Sequence, residues 1–143
     1  MDEAKAKKIV VINTDGGARG NPGPAGIGLV IKNEQGELLY SHGAYIGDTT
    51  NNVAEYSALV KALEESVNLG ATDVKIQMDS ELIVKQMTGV YKIKQPVLQE
   101  LASKVLALLK KFNSHSFVHV RREYNKEADA QVNKALDEHM GLS

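Results

Sequence analysis

The sequence predicts an α/β protein with a mixed five-stranded sheet flanked by helices. Three β-rich segments follow one another near the N-terminus, and helical and β-rich segments then alternate, in the order β-β-β-α-β-α-α-β-α. A strand meander followed by crossover connections gives a sheet with both antiparallel and parallel neighbours. The 143 residues are enough for one domain with its own hydrophobic core. We expect a single domain over residues 1–143, with its core at about 8–138 and flexible termini.

The strands are indicated by β-branched residues and by alternation of apolar and polar residues. They are predicted over residues 8–14, 26–32, 37–45, 74–78 and 117–120. Gly36 can take the positive φ of a hairpin turn between the second and third strands. We expect the first and fourth strands to be parallel neighbours at the centre of the sheet.

The helices are indicated by apolar residues at helical spacing and by capping residues. They are predicted over residues 53–69, 81–88, 96–112 and 126–139. Thr50, Asn51 and Asn52 offer N-cap side chains for the first helix, and Ser80 caps the second. Pro96 suits the first turn of the third helix, where its missing N–H costs no hydrogen bond.

Composition narrows the classes of function. The formal net charge is -1, so a nucleic-acid partner would require local basic groups or bound cations rather than a basic surface overall. The absence of cysteine excludes disulfides and thiolate metal sites, and it fits the reducing cytoplasm. The apolar runs are too short for a membrane span, so we expect no membrane partner. A cytoplasmic monomer is the default expectation.

Four acidic residues occupy the edges of predicted elements. Asp15 and Asp79 end the first and fourth strands, and Glu55 and Asp129 lie in the first turns of the first and last helices. Each has an ordinary explanation alone, because acids suit the helix dipole and also cap helices or begin turns. However, ligands gather at the carboxyl ends of parallel strands. Both helix starts can face that edge, so we expect the four carboxylates to lie together.

Grouped carboxylates repel each other, and divalent cations remove that repulsion. Oxygen ligands without Cys or His suit Mg²⁺ or Mn²⁺. Two such ions about 4 Å apart are the usual arrangement for in-line phosphodiester displacement. The sequence therefore predicts a catalytic centre in which the four acids bind two metal ions, and the glycines after Asp15 would let a backbone approach it closely.

Four motifs resemble, in order and spacing, the signatures of type 1 ribonuclease H. They are the glycine-rich stretch 15–26, the run 50–55, the segment 79–82, and the segment 125–129 with Asn133 after it. The resemblance covers about residues 8–138 and implies a ribonuclease H-like fold. It also implies a metal-dependent endonuclease that hydrolyses the RNA strand of RNA–DNA hybrids and leaves 5′-phosphate and 3′-hydroxyl ends.

The resemblance also implies individual roles. The four acids would be the metal ligands, with Asp15 as the bridging ligand. Asn21, Asn51 and Asn52 would contact the hybrid in its minor groove, where amides suit the 2′-hydroxyls and base edges. The other implied substrate-binding residues are Gly16 and Gly17 through the backbone, Thr50 at a DNA phosphate, and Ser80, Arg122 and Asn125 near the active-site edge.

The chain departs from the family pattern in two loops. The segment 89–96 is too short for the basic protrusion of many members, so the chain resembles a short form in which Lys92 and Lys94 would replace it. The loop 121–125 lacks the histidine that many members carry before the last helix. Arginine occupies this region in one branch of the family, and Arg122 would act electrostatically, because arginine does not exchange protons at neutral pH.

Two other functions stay open from the sequence. A domain of this fold could recognise hybrids without cutting them, but such a module would have no physical use for four mutually repelling carboxylates. A transposase or junction resolvase would share the fold class. Those enzymes usually carry extra DNA-binding segments, for which 143 residues leave little room. We therefore predict an enzyme that cuts RNA–DNA hybrids.

Overall fold

A computed structural model describes residues 6–142, so residues 1–5 and 143 of the predicted flexible termini lie outside the described residues. The strands are β1 (Ile9–Ala18), β2 (Gly23–Asn33), β3 (Leu38–Thr49), β4 (Asp73–Met78) and β5 (Ser114–His119). The helices are α1 (Asn51–Asn68), α2 (Glu81–Met87), α3 (Pro96–Leu109) and α4 (Lys126–Met140), with a 3-10 turn at Arg122–Tyr124. Across these residues, no helix is both long enough and apolar enough to cross a membrane.

The five strands form one mixed sheet in the order β3-β2-β1-β4-β5. Strands β1, β2 and β3 make an antiparallel meander, while β4 is parallel to both β1 and β5. This confirms the predicted fold class and the central position of the parallel pair β1–β4. The carboxyl end of β4 therefore lies beside the middle of β1, which is where a ligand site is expected in such a sheet.

The main hydrophobic core lies between one face of the sheet and helices α1, α2 and α3. Alternate residues of the central strands point into it, as the two-residue period of a strand requires. Its fully buried members include Val10, Ile12, Leu29, Ile31, Leu59, Leu63, Ile76, Ile83 and Val105. Burial of each such side chain is worth about 1.5–3 kcal/mol, so this layer holds the sheet edge and α1 in a fixed relation.

Helix α4 packs on the opposite face, across β2 and β3. Two glycines permit its close approach: a Cβ on Gly28 would overlap the carbonyl oxygen of Ala128, and a Cβ on Gly43 would overlap that of Gln131. This packing places the first turn of α4 against the centre of the sheet. Asp129 is thereby brought to the same edge as the residues that follow the parallel strands.

The predicted end of the first strand was wrong, because β1 continues to Ala18 and Asp15 lies inside it. The parallel ladder between β1 and β4 stops at the pair Thr14–Met78, but the antiparallel ladder between β1 and β2 continues to Ala18. The glycines that follow Asp15 are thus paired strand residues. A strand that loses one neighbour and keeps the other cannot be recognised from composition alone.

Several other boundaries differ from the prediction by a few residues: β2 begins at Gly23, β3 ends at Thr49 and α3 ends at Leu109. Two further differences have consequences or a clear cause. Helix α1 begins at Asn51 rather than near residue 53, so Glu55 lies beyond its first turn, and the helix-dipole explanation for this acid no longer applies. Strand β5 begins at Ser114 rather than at residue 117. Its early residues are exposed on an edge strand, where no apolar alternation is needed to bury a face.

Candidate active site

Three carboxylates meet where β1 and β4 separate. Asp15 is the residue after the last parallel pair in β1, and Asp79 directly follows β4. Glu55 comes from α1, which packs against β1. Each residue offers a carboxylate oxygen, and these oxygens all lie within 4.8 Å of one another. The expected grouping of these three acids is therefore present in the fold.

Gly16 sets the distance between the helix and the strand that carry two of these acids. A Cβ at this position would overlap the backbone of Ala54, so only glycine allows α1 to lie this close. The Gly16 N–H donates to Glu55 Oε1 at 2.8 Å. The other carboxylate oxygen, Oε2, is buried without a hydrogen-bond partner within the described chain. Glu55 is thus fixed by one oxygen and leaves the other available.

The protein environment disfavours the charged forms of the two innermost acids. Asp15 and Glu55 are 8% and 6% exposed. Burial raises the pKa of Asp15 to about 7; the adjacent Glu55 carboxyl opposes this rise, and the charges of Asp79 and Asp129 add to it. Burial and the neighbouring Asp15 raise the pKa of Glu55 well above its ordinary value. A bound cation would offset this effect, because it favours the charged forms of both carboxylates.

Asp129 stands beside this trio. It lies in the first turn of α4, accepts from Asn133 Nδ2 at 3.3 Å, and contributes to the rise in the pKa of Asp15. All four acids line one open cleft of about 390 Å³. The sequence-predicted residues that share this cleft are Asp15, Gly16, Gly17, Asn51, Asn52, Glu55, Asp79, Ser80, Arg122 and Asp129.

Comparisons with known proteins agree with this geometry. The family model described as "Reverse transcriptase-like" matches residues 13–135. Ribonuclease HI of Halobacterium salinarum is 42% identical over 124 residues, which are 87% of this chain and 62% of that protein. The structure of LC11-RNase H1 in complex with an RNA/DNA hybrid is 51% identical, with a TM-score of 0.88 over 92% of this chain and 99% of that chain.

The chain belongs to the type 1 ribonuclease H family. A bifunctional protein of Mycobacterium tuberculosis is also similar, with 44% identity over 129 residues, which are 90% of this chain and 35% of that protein. The chain therefore spans about a third of the length of the first curated relatives that it matches. Family membership rests on the domain that is shared.

Asn21 and Asn51, two of the asparagines predicted to contact substrate in this ribonuclease H domain, are joined by a hydrogen bond. Asn51 Oδ1 accepts from the Ala18 N–H at 2.8 Å, and Asn21 Oδ1 accepts from the Asn51 N–H at 3.0 Å. The acceptor side of each amide is therefore occupied by the backbone. Asn52 lines the cleft beside them, while Thr50 caps α1 by accepting from the Val53 N–H at 3.3 Å.

The other predicted substrate-binding residues, Ser80, Arg122 and Asn125, differ in how exposed they are. The Arg122 side chain is 88% exposed, and its Nε lies 3.9 Å from Asp79 Oδ2. Ser80 accepts from the Ile83 N–H and caps α2 beside the cleft. Asn125, in contrast, is only 1% exposed and lies beneath the acids. Its side chain is not on the surface, and it bonds Thr14, Asp79 and Asn13 instead.

Sequence reasoning missed two residues of the site region. Arg19 lines the cleft and forms an ion pair with Asp137 at 2.7 Å, which ties the β1–β2 hairpin to α4. Asn13 lies behind the acids and donates to Asn125 Oδ1 at 3.0 Å. The only signal for Asn13 was a polar residue in an apolar strand. Arg19 gave no signal, because its carboxylate partner is distant in sequence.

Proposed function

We propose that this chain is an endoribonuclease that hydrolyses the RNA strand of RNA–DNA hybrids. The observation that carries the proposal is the grouping of Asp15, Glu55 and Asp79 within 4.8 Å, in a cleft bordered by side-chain amides. Membership in the ribonuclease H family supports the same chemistry. We further propose that the products carry 5′-phosphate and 3′-hydroxyl ends, in keeping with in-line attack by water on the scissile phosphate.

The residues present fit divalent metal ions. The donor set consists of carboxylate oxygens, which suit Mg²⁺ or Mn²⁺. Glu55 Oε2 is buried and has no hydrogen-bond partner within the described residues. A bound cation would lower the raised pKa of Asp15, because it favours the charged carboxylate. We propose that Asp15, Glu55, Asp79 and Asp129 hold two ions. When bound, such ions activate water and stabilise the leaving oxygen.

The chain's own residues orient the site for this chemistry. The Gly16 N–H fixes one oxygen of Glu55, and the other oxygen has no hydrogen-bond partner among the described residues. Asn133 holds one oxygen of Asp129. Arg122 places a permanent positive charge near Asp79, where we infer that it attracts the phosphate backbone of the hybrid. These contacts keep the carboxylates grouped before the substrate arrives, which is the preorganisation that electrostatic catalysis requires.

The amides bordering the cleft support hybrid recognition. Because Asn21 and Asn51 use their carbonyl oxygens on backbone N–H groups, their Nδ2 groups remain to donate. We propose that these donors and the Asn52 amide contact 2′-hydroxyls and base edges in the minor groove. Gly17 would contribute a close backbone approach, because its ideal Cβ position has only Asn51 Oδ1 nearby, at 3.7 Å.

Two hydroxyl residues complete the proposed substrate surface. Thr50 uses its oxygen as an acceptor from the Val53 N–H, which leaves its O–H to donate to a DNA phosphate. Ser80 uses its oxygen in the same way from the Ile83 N–H, beside Asp79. We also infer a monomer acting in the cytoplasm. All four acids come from one chain, and a chain without cysteine suits a reducing compartment.

A strand-specific cleavage assay tests the proposal. End-labelled RNA–DNA hybrid would be incubated with the protein and Mg²⁺, Mn²⁺ or EDTA, beside Asp15→Asn and beside single-stranded RNA, duplex DNA and duplex RNA. We expect metal-dependent cutting of the RNA strand of the hybrid that the variant loses. With a dye attached to the 3′ end of the RNA, phosphatase sensitivity of the dye-bearing fragment reports the 5′-phosphate. Binding of the hybrid without cutting under either metal would overturn the assignment in favour of a recognition module.

A further inference from the structure

We propose that Asn125 is a positioning residue that fixes the Asp79 carboxylate and joins it to β1 and α4. The proposal rests on the proposed function and replaces the substrate contact that the family resemblance implied for Asn125. Its basis is the hydrogen bonding and burial of one side chain.

The Asn125 amide is fully engaged within the protein. Its Nδ2 donates to the Thr14 carbonyl oxygen at 2.9 Å and to Asp79 Oδ1 at 3.2 Å. Its Oδ1 accepts from Asn13 Nδ2 at 3.0 Å. With 1% of the residue exposed, neither donor hydrogen remains for a nucleic acid. The side chain therefore acts on the acids and not on the substrate.

The position of this amide explains what it does for the sheet. The parallel ladder ends at the pair Thr14–Met78, and the Met78 carbonyl is taken by the Val120 N–H at 2.8 Å. Beyond this point β1 and β4 no longer bond to each other. The Asn125 amide bridges the gap, because one of its hydrogens bonds the β1 backbone and the other bonds the acid that follows β4.

Asn125 also begins the helix that carries the fourth acid. Its carbonyl oxygen accepts from the Asp129 N–H at 3.1 Å. Asparagine at a helix N-cap ordinarily bonds a free N–H of the first turn, a contact worth about 1 kcal/mol. Here the side chain makes no capping bond. The side chain bonds Thr14 and Asp79 instead, as expected of a residue whose main role is to hold Asp79.

Two substitutions separate orientation from packing. Asn125→Asp keeps the shape but turns a donor toward Thr14 and Asp79 into an acceptor, so it repels the carboxylate that it should hold. Asn125→Ala removes the amide without adding a buried charge, and it is the second variant if Asn125→Asp does not fold. Loss of a group that orients a metal ligand typically lowers metal affinity or activity about 10–100-fold.

The readouts are Mn²⁺ affinity of the free protein by calorimetry, and kcat and KM on the hybrid. We expect both variants to bind Mn²⁺ about 10–100-fold more weakly, with reduced kcat and a hybrid KM within about threefold of wild type. Ser66→Ala is the control, because it removes a buried side-chain hydrogen bond in α1, to the Ala62 carbonyl oxygen, at a residue that does not line the cleft. Its Mn²⁺ affinity should stay within about threefold of wild type.

Three results would overturn the proposal. Unchanged Mn²⁺ affinity with a raised KM would make Asn125 a substrate contact. Unchanged affinity, kcat and KM with a lowered melting temperature would make it a packing residue only. An equal loss of Mn²⁺ affinity in Ser66→Ala would show that any lost buried hydrogen bond weakens metal binding, and it would remove the specific link between Asn125 and Asp79. If the wild-type protein does not cut hybrids, the proposed function fails, while the Mn²⁺ measurement still decides the role of Asn125.

Discussion

The Gly16 N–H and Glu55 Oε1 are 2.8 Å apart, so the central strand and α1 are joined at the point where their acids meet. This contact requires glycine in β1, because any Cβ there would overlap the backbone of Ala54. The distance between Asp15 and Glu55 therefore depends on the absence of a side chain at Gly16. A perturbation at Gly16 should disturb the site and the stability together.

Gly16→Ala should destabilise the protein by about 2–3 kcal/mol and lower hybrid cleavage, because α1 must move away from β1 to accept the methyl group. Gly17→Ala is the matched control, since its Cβ would meet only Asn51 Oδ1, at 3.7 Å. We expect this control to cost below about 1 kcal/mol. Urea unfolding and the cleavage assay measure both effects. Equal stability losses in the two variants would contradict the close-approach argument.

Asp15→Asn should stabilise the metal-free protein at alkaline pH while abolishing cleavage. The pKa of Asp15 is raised from 3.8 to about 7, so its contribution to stability is present below pH 3.8 and is lost as the pH rises to about 7. At about pH 8 in EDTA, we expect the variant to be more stable than wild type by about 1–3 kcal/mol. Mn²⁺ should restore the stability of wild type only.

The measurement for Asp15→Asn is the free energy of unfolding from about pH 4 to pH 8. The wild-type value should fall more steeply with pH than that of the variant. Glu55 has a raised pKa as well, so the variant should keep part of the slope. Parallel profiles for the two proteins would show that Asp15 is not held in an unfavourable charged state.

Glu55→Gln should reduce cleavage at least about 100-fold, because the variant loses a buried carboxylate that no other group near it replaces. Glu64→Gln is the control on the same helix, since Glu64 is exposed on α1 and lies outside the cleft. Its activity should stay within about twofold of wild type. A comparable loss in both variants would mean that the charge of the helix matters rather than this carboxylate.

The sequence predicted the order of all the strands and helices and the positions of the acids along the chain, because periodicity and caps are local properties. It misplaced the end of β1, since that end depends on which neighbour keeps pairing. It gave no sign that Asn125 is buried. That residue lies in a signature segment, but its side chain bonds Thr14 and Asp79, which are distant in sequence, and no local pattern reveals such contacts.

Other parts of the site depend on contacts between distant residues. The link between Asn21 and the Asn51 N–H joins the β1–β2 hairpin to the start of α1, across 30 positions. The Gly16–Glu55 contact joins positions 39 apart. Glycine in a strand signals a close approach of some backbone, but the identity of the approaching helix is known only from the fold.

Arg122→Ala should lower cleavage about tenfold with almost no change in stability. The side chain is 88% exposed, and surface ion pairs contribute little to folding, so its 3.9 Å approach to Asp79 matters for the substrate and not for the fold. Arg121→Ala is the control: Arg121 is 82% exposed and pairs with Glu123 instead. Equal activity losses would indicate general attraction of the hybrid rather than a role beside Asp79.

Removing two loop charges should weaken hybrid binding and flatten its salt dependence. Lys92 and Lys94 are exposed in the short connection between α2 and α3. If each contacts one phosphate, the double variant Lys92→Gln/Lys94→Gln should lower the slope of log affinity against log salt by about 1.8. Hybrid binding by the Asp15→Asn background over a range of KCl concentrations measures this slope without cleavage.

The matched control for the loop is Lys110→Gln/Lys111→Gln at the far end of α3. These lysines follow Leu109, about 20 Å along the helix axis from Pro96, and the change in net charge is identical. We expect the control to keep the wild-type slope, because counterion release depends on lysines that touch phosphates and not on total charge. A slope lowered equally by both double variants would place the hybrid over a broader surface than this loop.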